Sequence, residues 1–333
     1  MIESALQAPS ERDRETVRAA VVAAFGSAAV TAITPVTGGA SGASAFQLYL
    51  GDRRFLLRLE GHPSPLRNPH QYVSLRIAAE AGIAPKVHYI DETNRIAVTD
   101  FVQQRPLRSY PGGRRALAQA LGELLSRVQA TPAFPLFVNY ADIVTRLFAH
   151  VCRTGLFAPG LLDRYEERLQ LHREAYNAGG AELVSSHNDP IPSNILFDGK
   201  RLWMIDWESA YRNDALVDVA IMLDNFAPSQ DLHDVFLDAC FKRSLDDGAR
   251  ARLELIKALT RLYYAGVLLS ASAEASWICA DTDLRAPSSE DFQQAIRTGR
   301  LTVGTPETKH ILGKMFLASF LSDVRPPGLE AAV

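Results

Sequence analysis

Cysteine is scarce. The chain has three in 333 residues, Cys152, Cys240 and Cys279, far apart and never in a Cys-x-x-Cys pair. That excludes a disulfide framework or a thiolate zinc site and predicts small buried apolar side chains in a reducing compartment. An excess of one charge sign is missing too: 35 Lys and Arg face 38 Asp and Glu, a net charge of −3 with no long run of either. A nucleic-acid or anionic-membrane surface is therefore not expected. Apolar runs are short. The charge-free segment 19–51 is broken by Gly, Ser, Thr and Pro, well before the ~20 residues a spanning helix requires. Residues 1–18 carry Glu, Arg and Asp without an apolar centre, so no signal peptide is expected and the cytoplasm is the expected compartment. Also absent is any Gly-x-x-x-x-Gly-Lys-Ser/Thr run, which removes the P-loop nucleotide folds.

What is present is ordinary for a globular protein of one large or two moderate domains: 47% of residues are hydrophobic and 22% charged. The apolar stripe Val17, Ala20, Val21, Ala24 and Phe25, with Ser10 and Asp13 at capping-box spacing and Gly26 as a stop, predicts a helix over 10–25. Strands are expected at 30–36, 46–50 and 54–59, the last two joined by Gly51-Asp52. Between the first two lies Thr37-Gly38-Gly39-Ala40-Ser41-Gly42-Ala43-Ser44. Such a loop either closes over phosphates with its backbone N–H groups or simply turns a hairpin. A dinucleotide fold would need a helix after it, and 46–50 alternates like a strand. A helix over 69–81, strands at 86–90 and 95–100, and helices near 117–128, 140–154, 158–178 and beyond 216 complete the expectation.

The stretch that carries chemistry is 185–223. It reads Ser-Ser-His187-Asn-Asp189-Pro-Ile-Pro-Ser-Asn194, an apolar segment 195–197, an Asp-Gly turn, a second apolar segment 202–205, then Asp206-Trp207-Glu208, Arg-Asn213-Asp214 and Asp218. This predicts a hairpin with polar groups gathered at one end. Phosphoryl transfer needs such a set: a carboxylate to take the acceptor hydroxyl's proton and oxygen ligands for the magnesium bridging the phosphates. Kinases place an Asn five positions after the base and an Asp on a following strand, the spacing of Asn194 and Asp206 relative to Asp189. Asp189 is the expected base, with Asn194 and Asp206 as metal ligands; oxygen ligands suit Mg²⁺ better than zinc. Asp, Asn, Pro and Ser also fill ordinary turns. The joint occurrence of His, Asp, Asn and a second Asp on one predicted hairpin favours the catalytic reading. His187 is expected to pack and hydrogen-bond rather than to act as acid or base. On the strand at 54–59, Phe55, Leu57 and Leu59 share one face and Arg58 lies on the other.

These two loops, from His187 through Asn194 and from Ile205 through Asp218, resemble the signature of the aminoglycoside phosphotransferase and choline kinase superfamily, the small-molecule relatives of protein kinases. Within it they are most similar to the choline and ethanolamine kinase branch, including its bacterial members. The resemblance implies an α+β, protein-kinase-like two-lobe fold: a small N-terminal nucleotide-binding lobe, 1–104, with a five-stranded antiparallel sheet, and a larger mainly helical lobe, 105–333, with the catalytic loop and acceptor site. It implies ATP and Mg²⁺ as cofactors. Arg58 would stand where kinases have the phosphate-holding lysine, keeping the charge and adding a fork that fits phosphate oxygens. Gly38, Gly39, Ser41 and Gly42 would cover the phosphates, and a hinge at 99–104, with Thr99 and Phe101, would meet the adenine. Asp218 would brace the catalytic loop.

The chain departs from the family in three places. Gln71 stands where the family usually has the Glu that pairs with the strand cation, so either another residue, Glu80 or Glu60, is the partner of Arg58 or Arg58 is held less tightly. Val128-Gln129 replaces Leu-His, and Ser209 replaces the Tyr usual after Asp-Trp-Glu. Aromatic candidates for an acceptor cage are Tyr211, Tyr263, Tyr264 and Trp277, with Asp281 and Asp283 just beyond, although aromatics at helical spacing also build cores. Glu208 could reach the metal, the acceptor's amine or a structural ion pair. The expected activity is ATP-dependent phosphorylation of a small molecule's hydroxyl, choline, ethanolamine or a related amino alcohol first. The alternatives are an antibiotic or sugar-like acceptor, and a nucleotide-binding pseudokinase or sensor. The sequence leaves oligomeric state open.

Overall fold

The computed structural model describes residues 11–26, 30–36, 44–61, 68–274 and 280–322. The first helix, α1 (Glu11–Phe25), ends where Gly26 adopts a φ of +66°. Its buried Val17, Ala20 and Val21 face a sheet, and the Phe25 ring lies 4.5 Å from that of Phe55. The sheet has five strands: β1 (Ala32–Val36), β2 (Ser44–Leu50), β3 (Arg53–Leu59), β4 (Val87–Asp91) and β5 (Ile96–Asp100). Their order is β1-β2-β3-β5-β4, every pair antiparallel. Gly51, at a φ of +55°, turns β2 into β3. Period-two alternation then buries Phe55, Leu57 and Leu59 and leaves Arg58 half-buried on the opposite face.

Between β3 and β4, α2 (Gln71–Glu80) is tied at both ends to the second half of the chain. At its start the Asn68 amide and the Ser74 hydroxyl both donate to the Ala210 carbonyl, at 2.6 and 2.7 Å. Past its end, Arg127 donates to the Ala81 carbonyl and Arg201 to that of Gly82. Ala78, Ile83 and Ala84 accordingly belong to the large hydrophobic core of the helical part, while α1 and the sheet share a smaller core.

The remainder is mostly helical: α3 (Gly113–Gln129), α4 (Tyr140–Arg153), α5 (Asp163–Ala178), α6 (Ala215–Phe226), α7 (Gln230–Phe241), α8 (Asp247–Ala273), α9 (Ser289–Arg297) and α10 (Pro306–Leu321). Two short antiparallel ribbons lie among them, β6 (Leu183–Ser186) with β9 (Tyr211–Asp214), and β7 (Ile195–Phe197) with β8 (Leu202–Met204). The long α8 is the axis on which α4, α6 and α10 pack. Gly266 lets α4 approach, since a Cβ there would sit 2.7 Å from a Leu147 carbon. One expected helix begins later than its pattern suggested: 158–162 is a turn, because Gly160 takes a φ of +81° and the Ala158 N–H is given to the Asp281 carbonyl. Among the described residues Cys152 and Cys240 are free thiols, and no helix is long and apolar enough to cross a membrane. Ser10 and Cys279 lie outside the described residues.

Candidate active site

Strand pairing brings the polar end of the hairpin together. β7 and β8 register Ile195 opposite Met204, and the Ile205 N–H continues the ladder to the Asn194 carbonyl at 3.0 Å. Asn194 thereby lies opposite Ile205 at the open end, with Asp206 the next residue along the second strand. Asp206 itself adopts φ +65°, ψ +64°, a left-handed conformation costing a non-glycine residue roughly 1–2 kcal/mol. The hairpin is anchored to the chain leaving β5, where the Arg105 N–H donates to the Phe197 carbonyl at 2.7 Å.

The preceding loop is held from beneath. Asp218, fully buried on α6, accepts the backbone N–H groups of His187 and Asn188 on its two carboxylate oxygens, both at 2.7 Å. Burial pushes its carboxyl up to about 7, and the two N–H donors hold it from rising further. The His187 ring lies 4.6 Å from that of Trp207, and its Nε2 donates to the Ile205 carbonyl at 2.8 Å. Burial lowers its pKa to about 4, so the imidazole is neutral. Asn188, buried at φ +64°, sends its amide nitrogen to the carbonyls of Ser209 (2.9 Å) and Tyr211 (3.2 Å), and its amide oxygen accepts from Asn213 at 2.7 Å. This one side chain ties the loop to the segment after Asp206, and the sequence reading had passed it over.

Asp189 sits above this support with both oxygens engaged. Oδ2 accepts from Asn194 at 2.9 Å and Oδ1 accepts from the Tyr264 hydroxyl at 2.8 Å. Burial pushes its carboxyl up to about 8; the charges of Asp206 and Glu208 add to this, and the Tyr264 and Asn194 donors oppose it. A carboxyl so placed takes up a proton readily at neutral pH.

Arg58 reaches across from β3. Its Nη1 is 2.6 Å from Asp206 Oδ1, Nε 2.7 Å from Glu60 Oε1, and Nη2 3.0 Å from Glu208 Oε2. Burial disfavours the cation, but Asp206, Glu60 and Glu208 more than reverse that and raise its pKa above the ordinary value. Among the partners weighed from sequence, the one in contact is Glu60, on the same face of the chain two residues on. Glu80 is exposed and Gln71 is buried.

The remaining candidates separate. Thr99 lies in β5 opposite Leu56, and the Phe101 N–H donates to the Arg54 carbonyl at 3.2 Å. Gly38, Gly39, Ser41, Gly42 and Trp277 lie outside the described residues. Tyr211 is 3% exposed, with its ring edge-on to Phe137 at 5.5 Å, so it is core and not pocket wall. Tyr264 is 6% exposed and spends its hydroxyl on Asp189. Tyr263 alone of these three is partly accessible. Burial, followed by the charges of Asp189 and Glu208, raises its pKa, and the Ser209 side chain opposes the rise. Asp281 is occupied elsewhere, accepting from His310 at 2.7 Å and Lys314 at 2.9 Å, and Asp283 pairs with Arg285. The Gln129 amide donates to the Ala215 carbonyl at 2.8 Å, tying α3 to the start of α6.

The "Phosphotransferase enzyme family" model matches residues 32–255. Among curated proteins, protein LicA of Haemophilus influenzae is 38% identical over 56 residues, which is 17% of this chain and 21% of that protein, so the match spans about a fifth of the relative's length. Among solved structures, a choline/ethanolamine kinase family protein from Mesorhizobium loti superposes with a TM-score of 0.64 at 22% identity, covering 90% of this chain and 98% of the other. Choline kinase LicA from Streptococcus pneumoniae superposes with a TM-score of 0.62 at 13% identity, covering 80% and 94%. At such identities the likeness is one of fold.

Proposed function

We propose, since the chain belongs to the phosphotransferase enzyme family, that it transfers the γ-phosphoryl group of ATP to the hydroxyl of a small amino alcohol, with choline and ethanolamine the leading acceptors. The observation that carries this reading is the Asp189 carboxylate, held by Asn194 and Tyr264 beside Asp206 and Glu208. Asp189 takes the proton from the acceptor hydroxyl as its oxygen attacks the γ-phosphorus, and ADP leaves. Positioning and charge compensation supply the rate.

ATP would lie between two lobes, 1–104 and 105–333, with Arg58 and the backbone of Gly38, Gly39, Ser41 and Gly42 on the phosphates and the chain at Thr99 and Phe101 on the adenine. The donor set at the hairpin end fits Mg²⁺. Asn194 Oδ1, whose contact to Ser193 is a long 3.5 Å, and the Asp206 carboxylate are hard oxygens carried at the same end of the hairpin. When bound between Asn194 and Asp206, the ion would offset the charge of the phosphates.

The preference for a cationic acceptor rests on the Asp206, Glu208 and Glu60 carboxylates gathered around Arg58 and on the partly open Tyr263 ring, whose pKa the charges of Asp189 and Glu208 help to raise. Ser209 in place of a tyrosine removes one ring from that wall and keeps aminoglycosides and sugars in the test. The experiment is magnesium-dependent ADP release over choline, ethanolamine, other amino alcohols, aminoglycosides and sugars. Turnover of an amino alcohol that disappears in Asp206→Ala, with folding unchanged, supports the reading. An active Asp206→Ala enzyme removes the metal assignment, and nucleotide binding without turnover of any acceptor favours a sensor.

A further inference from the structure

We infer that Tyr264 is a positioning residue for Asp189. Its hydroxyl, delivered from the middle of α8, fixes the carboxylate in the orientation from which it meets the acceptor. The inference rests on the reading of Asp189 as the base.

Two soft torsions separate an aspartate's carboxylate from its backbone, so a single anchor leaves it free to turn. Asp189 has two, one on each oxygen and from different parts of the chain: Asn194, five residues along the same loop, on Oδ2 at 2.9 Å, and Tyr264, seventy-five residues away, on Oδ1 at 2.8 Å. The second anchor cannot follow a turning carboxylate. The Tyr264 ring is 6% exposed, lies 5.5 Å from the Tyr263 ring and 5.9 Å from that of Phe316, and rides on a helix packed by both α4 and α10. Each carboxylate oxygen keeps a second lone pair for the acceptor's proton. A phenol also holds the group without the positive charge of an arginine or lysine, which would pair with the carboxylate and compete with that proton. The residue is thus committed to the base and is not a wall of the acceptor pocket.

The test is Tyr264→Phe, which keeps the ring and its packing and removes only the donor. With Mg·ATP and choline or ethanolamine, kcat is expected to fall about ten- to a hundredfold, the scale of a misplaced reacting group, while KM for ATP stays within about twofold. A crystal structure of the variant beside the wild type is expected to show the Asp189 carboxylate rotated with its bond to Asn194 lost. Unchanged kcat overturns the inference, as does a carboxylate that keeps its orientation without the phenol. If the wild type turns over neither acceptor, the proposed reaction fails, and the crystallographic comparison still decides the role of Tyr264.

Discussion

Asn188→Ala removes the side chain that joins the base-bearing loop to the segment after Asp206, and its cost can be worked from the contacts. Two carbonyls, Ser209 at 2.9 Å and Tyr211 at 3.2 Å, lose their donor, and the Asn213 amide loses its acceptor at 2.7 Å. All three groups are reached from a residue only 3% exposed. Leaving a buried polar group unpaired costs roughly 1–3 kcal/mol. Taking the low end for each, because water can enter the space vacated, gives about 3 kcal/mol. Alanine must also hold the φ of +64° that asparagine tolerates, adding about 1 kcal/mol. The expected loss is therefore about 4 kcal/mol, a large part of a typical domain's 5–15 kcal/mol. Urea unfolding followed by tryptophan fluorescence reads it, since Trp207 sits against His187 one residue away. A cycle with Asn213→Ala should show coupling of about 1–2 kcal/mol. A loss below about 1 kcal/mol, or strict additivity with Asn213→Ala, would refute the claim that this amide network holds the loop.

Two further outcomes depend on pH. His187 is depressed to about 4 in the folded chain by burial, against an unfolded value near 6.5. Its contribution is therefore fully present above about pH 6.5 and is lost as pH falls toward 4, amounting to about 3 kcal/mol. Unfolding free energies of wild type and His187→Gln between pH 7.5 and 4.5 should diverge in slope in that window, and parallel slopes would count against a buried neutral imidazole. For activity, the Asp189 carboxyl at about 8 must lose its proton to act as base, so kcat/KM under limiting nucleotide should climb with pH through that region. A profile flat from pH 6.5 to 9 would show that another group limits the rate.

Much of this was legible in the chain because it depends on short-range spacing. Asp189, Asn194 and Asp206 are set by a loop and hairpin only eighteen residues long, and period-two alternation placed Arg58 opposite the buried Phe55, Leu57 and Leu59. What escaped depends on tertiary distance or on backbone conformation. That the Tyr264 hydroxyl would lie 2.8 Å from Asp189 follows from how α8 packs under the loop, and a sequence shows only a tyrosine at helical spacing. Asn188 read as a loop residue; its left-handed φ, which asparagine tolerates better than most, was the available signal. Glu60, weighed with Glu80 as a partner of Arg58, is the one in contact because it lies two residues along the same strand direction. Tyr211 illustrates the reverse error: its aromatic character suggested a cage, but pairing of β9 with β6 turns the ring inward. The late start of α5 was signalled by Gly160, and apolar residues on either side masked it.

The measurement that tests the central claim most directly is ³¹P NMR of the enzyme with Mg·ATP and choline or ethanolamine, run beside Asp189→Ala at equal concentration of folded protein. The account predicts a phosphomonoester resonance growing with the ADP signals in the wild type and none in the variant. A phosphomonoester formed by Asp189→Ala within about tenfold of the wild-type rate would contradict it, because base catalysis of this kind contributes roughly 10²–10⁴-fold.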